Sequence, residues 1–526
     1  MSGLSEGILA SSRPWHAASL DKDDIEIWRT KAAVEPDGQL ASLVSRAVVG
    51  PASGDSSRTP TRPTAYLDGL RGFAALVVYW HHHQLWAHEA MSRDGLLENA
   101  WGHHGERHFA TLPIVRNVFT GGHFAVATFF VISGYALSAK SLGLIHASSS
   151  SVDGASDART RLGDTLASAL FRRWLRLYLP LVAICFGYMC LWHGPCGGIW
   201  TDGFYPRSTF SEELWFFYAE FKNFSFVFGG GSPWFSYNPH TWSIPTEFKG
   251  SLVVYTTLLA FSRCARHSTR LALEMALAAY FLLVADGWYC ALFVAGMLLC
   301  DLDLLAAHNR LPAPLARLGP HKAVLARIVL LVALLLGGVP SHTADVADLR
   351  QNPGWYYLSL LKPQAVFDYK WFYLFFAASG LVFAARHLRM LRRVLEGPAC
   401  QRLGRISYAL YLVHGPVIWT LGDRLYSAAG WPRPTFGDRA DRMAGWEGRW
   451  PLPGVNCVMA GGGGRWWCVL GLEPAFLLPQ LVLLPVTLGL AVMLTRLVDE
   501  PCVRLAQGMY GWVTRRPETG RGLVAV

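Results

Sequence analysis

Tyr66-Leu-Asp-Gly-Leu-Arg-Gly-Phe-Ala-Ala-Leu-Val-Val-Tyr-Trp-His-His-His83 reads as an apolar helix with an arginine near its start and three histidines near its end. Arg71 and His82 are eleven residues apart, close to a whole number of helical turns. Both side chains therefore fall on one face, about 16 Å apart along the axis, with Ala75 and Val78 between them. In a bilayer with a hydrocarbon core of about 30 Å, Arg71 would sit at the edge and His82 roughly halfway through. An ionisable group at that depth is costly to keep, which makes His82 a candidate functional residue.

The rest of the chain supports a membrane setting. Of 526 residues, 52% are hydrophobic and only 16% charged, and long apolar runs recur from the first helix onward. This is the pattern of a polytopic, all-α integral membrane protein and not of several soluble domains. The net charge of +10 is spread as arginines between apolar runs. Such arginines set topology and face anionic lipid; no single basic domain suggests nucleic acid. The cysteines show no paired zinc-like spacing. Cys185, Cys190, Cys290 and Cys300 lie in apolar runs and read as packing residues, whereas Cys196, Cys457 and Cys468 lie in loops where a disulfide is conceivable.

Residues 1–65 are polar, lack a signal peptide and read as a disordered cytosolic tail. Residues 66–505 form the membrane domain, with long loops at 195–241 and 423–470, and 506–526 a second cytosolic tail. Ten spans are expected, at about 70–87, 122–139, 174–192, 246–261, 271–285, 288–302, 323–339, 371–385, 406–421 and 475–498. Asp286-Gly287 splits the fifth from the sixth as a hairpin. Arg172, Arg173, Arg176, Arg263, Arg266, Arg270, Arg386, Arg389, Arg392 and Arg393 gather on one side. By the positive-inside rule that side is the cytosol, and both termini lie there.

Several groups in these spans could do chemistry, and each has a plainer reading. Neutral His82 could act as a general base; it could equally be a packed, hydrogen-bonded helix residue. A metal site built from His81, His82 and His83 is not expected, because adjacent residues on one helix diverge. Arg173 and Arg176, one turn apart, could converge on phosphate oxygens or simply set topology. Glu247 could orient a catalytic group or complement the helix dipole. His414 is a second histidine within a span, for which packing is the simpler role. Ser133-Gly134 reads as a small-residue helix contact, and Ser133 lacks the strand-turn setting of a nucleophile.

Five strings in order carry a family resemblance. They are the Arg71…His82 helix, Phe129-Phe-Val-Ile-Ser-Gly-Tyr135, Phe171-Arg-Arg-Trp-Leu-Arg-Leu-Tyr-Leu-Pro180, Trp242-Ser-Ile-Pro-Thr-Glu247 and Leu403-Gly-Arg-Ile-Ser-Tyr-Ala-Leu-Tyr-Leu-Val-His414. Asp499-Glu500-Pro501 closes the pattern. Together they resemble membrane acyltransferase family 3, over Tyr66 to Arg504. Ala125 and Ala127 depart from it, standing where the family more often has glycine and a polar residue.

The resemblance implies an acyltransferase that moves an acyl group, acetyl by default, from acyl-coenzyme A to a hydroxyl of a small-molecule, sugar or lipid acceptor. It implies His82 as base, Glu247 as its partner or the acceptor's, and Arg71, Arg173 and Arg176 as holders of the coenzyme. His414 and Trp242 would support them. No bound cofactor and no metal are expected; acyl-coenzyme A is a substrate. The rival is a multi-pass transporter of a lipid or small metabolite, for which inverted repeats and paired broken helices would be the sign. The sequence shows neither.

Overall fold

The computed structural model describes residues 63–88, 97–103, 106–148, 155–193, 206–229, 233–432, 445–455 and 469–515. The expected tail up to residue 62, Cys196, Cys457, Cys468 and Gly461–Gly464 lie outside the described residues. The main helices are α1 (Ala65–Ala87), α2 (Gly122–Ser148), α3 (Ala155–Trp192), α4 (Phe210–Ser225), α5 (Ser243–Phe261) and α6 (His267–Leu283). They continue with α7 (Trp288–Ala307), α8 (Lys322–Gly337), α9 (Tyr369–His387), α10 (Pro398–Val417), α11 (Pro474–Leu494) and α12 (Glu500–Thr514). Among the described residues, extended structure is limited to a two-residue antiparallel pairing of Gly102–His103 with Glu106–Arg107.

Among the described residues, five helical stretches are long and apolar enough to cross a membrane: α2, α3, α7, Gly319–Gly337 around α8, and Pro474–Thr514, in which α11 runs into α12. A sixth is added if α9 and Arg389–Leu395, bent by 95°, count as one span. The other expected spans are helical, but they fall short of that test. α6 has only 17 residues. α1, α5 and α10 are long enough but carry polar residues, among them Asp68, Arg71 and the histidines in α1, Glu247 and Lys249 in α5, and Gln401, Arg405 and His414 in α10.

The structure corrects three sequence expectations. α3 begins at Ala155, about five turns before the span expected at 174–192. Ala158, Leu162 and Leu166 are buried there at four-residue spacing, so this is an amphipathic extension whose charged outer face hid it. The loop 195–241 contains α4, capped by Thr209, which accepts from the Glu212 N–H (3.3 Å). Phe217 and Phe224 anchor it. The tail expected from 506 is helical to Thr514. Asp286-Gly287 does separate α6 from α7, and Cys185, Cys290 and Cys300 are buried packing residues.

Two backbone-to-backbone contacts set the frame. At the first, a Cβ on Gly72 would strike the Gly404 backbone, and one on Gly404 would strike the Asp68 carbonyl. Only glycine lets α1 and α10 approach so closely. Further pairings, Gln401 Nε2 to the Ala65 carbonyl (2.7 Å) and Arg71 to the Gly404 carbonyl (2.9 Å), show that the two helices run parallel in register. At the second, Gly134 of α2 abuts the Phe293 carbonyl of α7, the small-residue contact expected at Ser133-Gly134.

Candidate active site

The parallel pairing of α1 and α10 has a direct consequence. His82 follows Gly72 by ten residues, and His414 follows Gly404 by ten. Helices in register from the glycine contact therefore bring the two imidazoles together, with ring centroids 5.1 Å apart. A third imidazole comes from a different part of the chain. His240, in the 3₁₀ turn Pro239–Thr241, stacks on His82 at 3.8 Å and lies parallel to His414 at 4.9 Å. One nitrogen from each ring lies within 4.8 Å of those of the other two.

The turn is held in place by its neighbours. Asn238, fully buried, donates from Nδ2 to the Leu412 carbonyl of α10 (2.9 Å), two residues before His414. Its own carbonyl accepts from the Thr241 hydroxyl (2.7 Å). Ser236 donates through N–H and hydroxyl to Glu220 of α4 (2.8 and 2.7 Å). The Tyr237 hydroxyl donates to Glu213, and burial together with that carboxylate pushes the phenol above its usual range. Behind the cluster, the Trp419 ring packs on His240 at 4.9 Å, and Gly415 leaves room where a Cβ would meet both rings.

The nitrogens of the cluster are poorly supplied with partners. His414 Nδ1 pairs with the Tyr411 carbonyl (2.6 Å), which makes it the N–H and leaves Nε2 as a lone pair; Nε2 is buried and without a partner. His240 Nδ1 is also buried and without a partner. His82 makes ring contacts but no hydrogen bond among the described residues, and it is half-buried. His81 and His83 leave this face, as expected from their position on α1. His81 packs against His123, and His83 pairs with the Tyr426 hydroxyl (2.7 Å) in a chain that continues to Gln480 and Tyr79.

The other candidates form a second constellation. Arg173 donates to Glu247 Oε1 and, from Nε, to the Ser251 hydroxyl (2.8 Å); that hydroxyl donates to the Glu247 carbonyl (2.7 Å). The Ser133 hydroxyl also faces the Glu247 carboxylate. Glu247 thus holds Arg173. The reason is local: Arg173 is buried, and a buried guanidinium takes the nearest carboxylate. Arg176 is half-buried, with Nε lacking a hydrogen-bond partner. Arg71 donates to Gly404 and lies 3.4 Å from Asp68. Trp242 is buried at the head of α5. The sequence reading therefore found two members of the histidine cluster but missed His240 and Asn238. The available signal was the string Asn238-Pro-His-Thr-Trp242 directly before the Trp242…Glu247 motif.

Comparisons with known proteins agree with one another. The family profile described as "Acyltransferase domain" matches residues 64–495. The chain is 31% identical to an O-acetyltransferase, PaAT-1, of Phomopsis amygdali, over 69% of this chain and 73% of that one. It is 26% identical to Acyltransferase R4 of a Phoma species, over 70% and 86% of the two chains. It is 24% identical to Acyltransferase clz18 of Cochliobolus lunatus, over 69% and 84%. No solved structure matches.

Proposed function

The chain belongs to membrane acyltransferase family 3, and on that premise we propose that it transfers an acyl group, acetyl by default, from acyl-coenzyme A to a hydroxyl of a small-molecule, sugar or lipid acceptor, with His82 as general base. The observation that carries this reading is the His82 imidazole, half-buried beside His240 and His414 and free of hydrogen bonds among the described residues. A base must offer its lone pair where a substrate proton can reach it. His82 takes the proton as the acceptor oxygen attacks the thioester carbonyl. The tetrahedral intermediate then expels the coenzyme A thiolate, which receives that proton. Holding thioester and hydroxyl in line supplies further acceleration.

In this proposal Arg71, Arg173 and Arg176 hold the coenzyme's phosphates from the cytosolic side. Arg176, with its Nε unpartnered, is the most available. Arg173 acts while anchored to Glu247, so Glu247 influences the site through Arg173. Ten helices cross the membrane with both ends cytosolic, and the one-sided arginines support that arrangement. Cysteines introduced at Ser211 and Arg389 should then label from opposite faces, and labelling from one face would refute the arrangement.

The function is tested by comparing metabolites of a deletion strain with those of its parent. An acylated product should vanish and its free hydroxyl form accumulate. An unchanged acylation profile with a redistributed metabolite would favour a transporter.

A further inference from the structure

We propose that His82, His240 and His414 form a binding site for a divalent first-row transition ion of the zinc type, and that an ion bound there silences acyl transfer. The metal-binding half stands on geometry alone. The silencing half rests on His82 being the base, as argued above.

Three neutral imidazoles normally satisfy their nitrogens by pairing N–H with lone pair, in the plane of the rings. Here the rings are stacked, His82 on His240 with 24° between their planes and His240 on His414 with 8°. Stacked rings cannot make in-plane bonds to one another, so their nitrogens are left to find other partners. His414 Nε2 and His240 Nδ1 are buried without partners. An unpaired buried nitrogen is costly, and once the rings rotate toward a common point a single cation can take one lone pair from each.

The donor set suits such an ion. Imidazole is a borderline ligand that favours Zn²⁺ and its first-row neighbours over Mg²⁺ or Ca²⁺. Three histidines with an open fourth position is a known zinc arrangement. Zinc–nitrogen bonds of about 2.0–2.1 Å in a tetrahedron put ligand nitrogens about 3.4 Å apart. The nitrogens here lie within 4.8 Å of one another, so ring rotations and a small contraction close the site. His414 already has the support a ligand needs, because Tyr411 fixes its proton on Nδ1 and leaves Nε2 to bind. The three ligands come from α1, the Pro239 turn and α10, and Asn238 ties the turn to α10. The half-buried faces of His82 and His240 leave a way in for the ion. Once its lone pair is on a metal, His82 has nothing left to accept a proton.

The test uses the full-length protein, purified in detergent and stripped with chelator. Co²⁺ and Zn²⁺ are titrated without substrates. One ion per chain should survive desalting, with the visible absorption of four-coordinate Co²⁺. His240→Gln and His414→Gln should each weaken binding by more than the roughly 10–100-fold lost when a mere supporting partner is removed. His123→Gln, outside the cluster, should bind as the parent does, and thermal unfolding without metal identifies any variant that fails to fold. No retained ion, or equal retention by folded His240→Gln, overturns the site. Acyl transfer should fall with the binding midpoint and return on adding chelator. Stoichiometric binding with zinc-stimulated transfer would keep the metal site but overturn both the silencing and the assignment of His82 as base.

Discussion

α8 and the α1–α10 pair use apolar sequence in opposite ways. The span around α8 passes every test of a membrane-crossing helix, yet only 17% of it is buried in the protein. Leu331, Ile328 and Val324 face outward. α1 and α10 are too polar to pass, yet they lie at the centre, backbone against backbone at Gly72 and Gly404, and carry His82 and His414. High hydropathy therefore does not by itself place a helix: α2, which also passes, has 78% of its apolar window buried. The paired histidines lie on helices that fail the test, because polar side chains lower the score. Such residues persist among apolar helices only when each is packed or paired with others.

If this contrast is right, damage should grade from the central pair outward. Gly404→Val should have the largest effect. Its side chain would run into the Asp68 carbonyl, force α1 and α10 apart, and leave little folded protein by detergent-resistant size-exclusion chromatography. Normal yield and activity would remove the glycine contact from the account.

Next comes the buried pair. Glu247→Leu strands the Arg173 charge and should cost about 3–5 kcal/mol of stability, whereas Arg173→Met with Glu247→Leu should recover most of it. Thermal unfolding of the single and double variants in detergent measures the difference. Equal loss in both would mean that Glu247 matters for something other than Arg173.

Arg176→Ala should leave the fold intact and weaken acyl-coenzyme A binding by about 1–3 kcal/mol, the value of a charge-assisted contact. Lysine should rescue only part of this, since it lacks the planar fork. Unchanged donor affinity would assign Arg176 to topology. The smallest effect belongs to α8. Leu331, 60% exposed, should tolerate alanine within about 0.5 kcal/mol and without loss of turnover. A larger loss would mean that α8 packs on a partner.

How much of this the sequence could show follows from the range of the interactions involved. The helical membrane class, the position of most helices, the hairpin at Asp286-Gly287 and the Ser133-Gly134 contact follow from local pattern, and all were legible. His82 and His414 were visible as histidines in apolar runs. Their meeting was not, although Gly72…His82 and Gly404…His414 share one spacing, because nothing local says that α1 and α10 run parallel. His240 was invisible for a stronger reason. Its place depends on Asn238 bonding to Leu412, 174 residues away, and on α4, which the aromatic loop concealed. Glu247 was legible as a charged residue in a span, but its pairing with Arg173 was not, since burial of Arg173 could not be read from a row of arginines.

The central claim is that His82 performs the chemistry at this cluster. The deletion strain complemented with His82→Ala tests it most directly, with acylated product normalised to the amount of folded membrane protein. The account predicts expression near the parent's, retained acyl-coenzyme A binding and turnover lower by about 10²–10⁴, the usual contribution of a positioned base. A well-expressed His82→Ala protein that restores the product at the parental rate would contradict it.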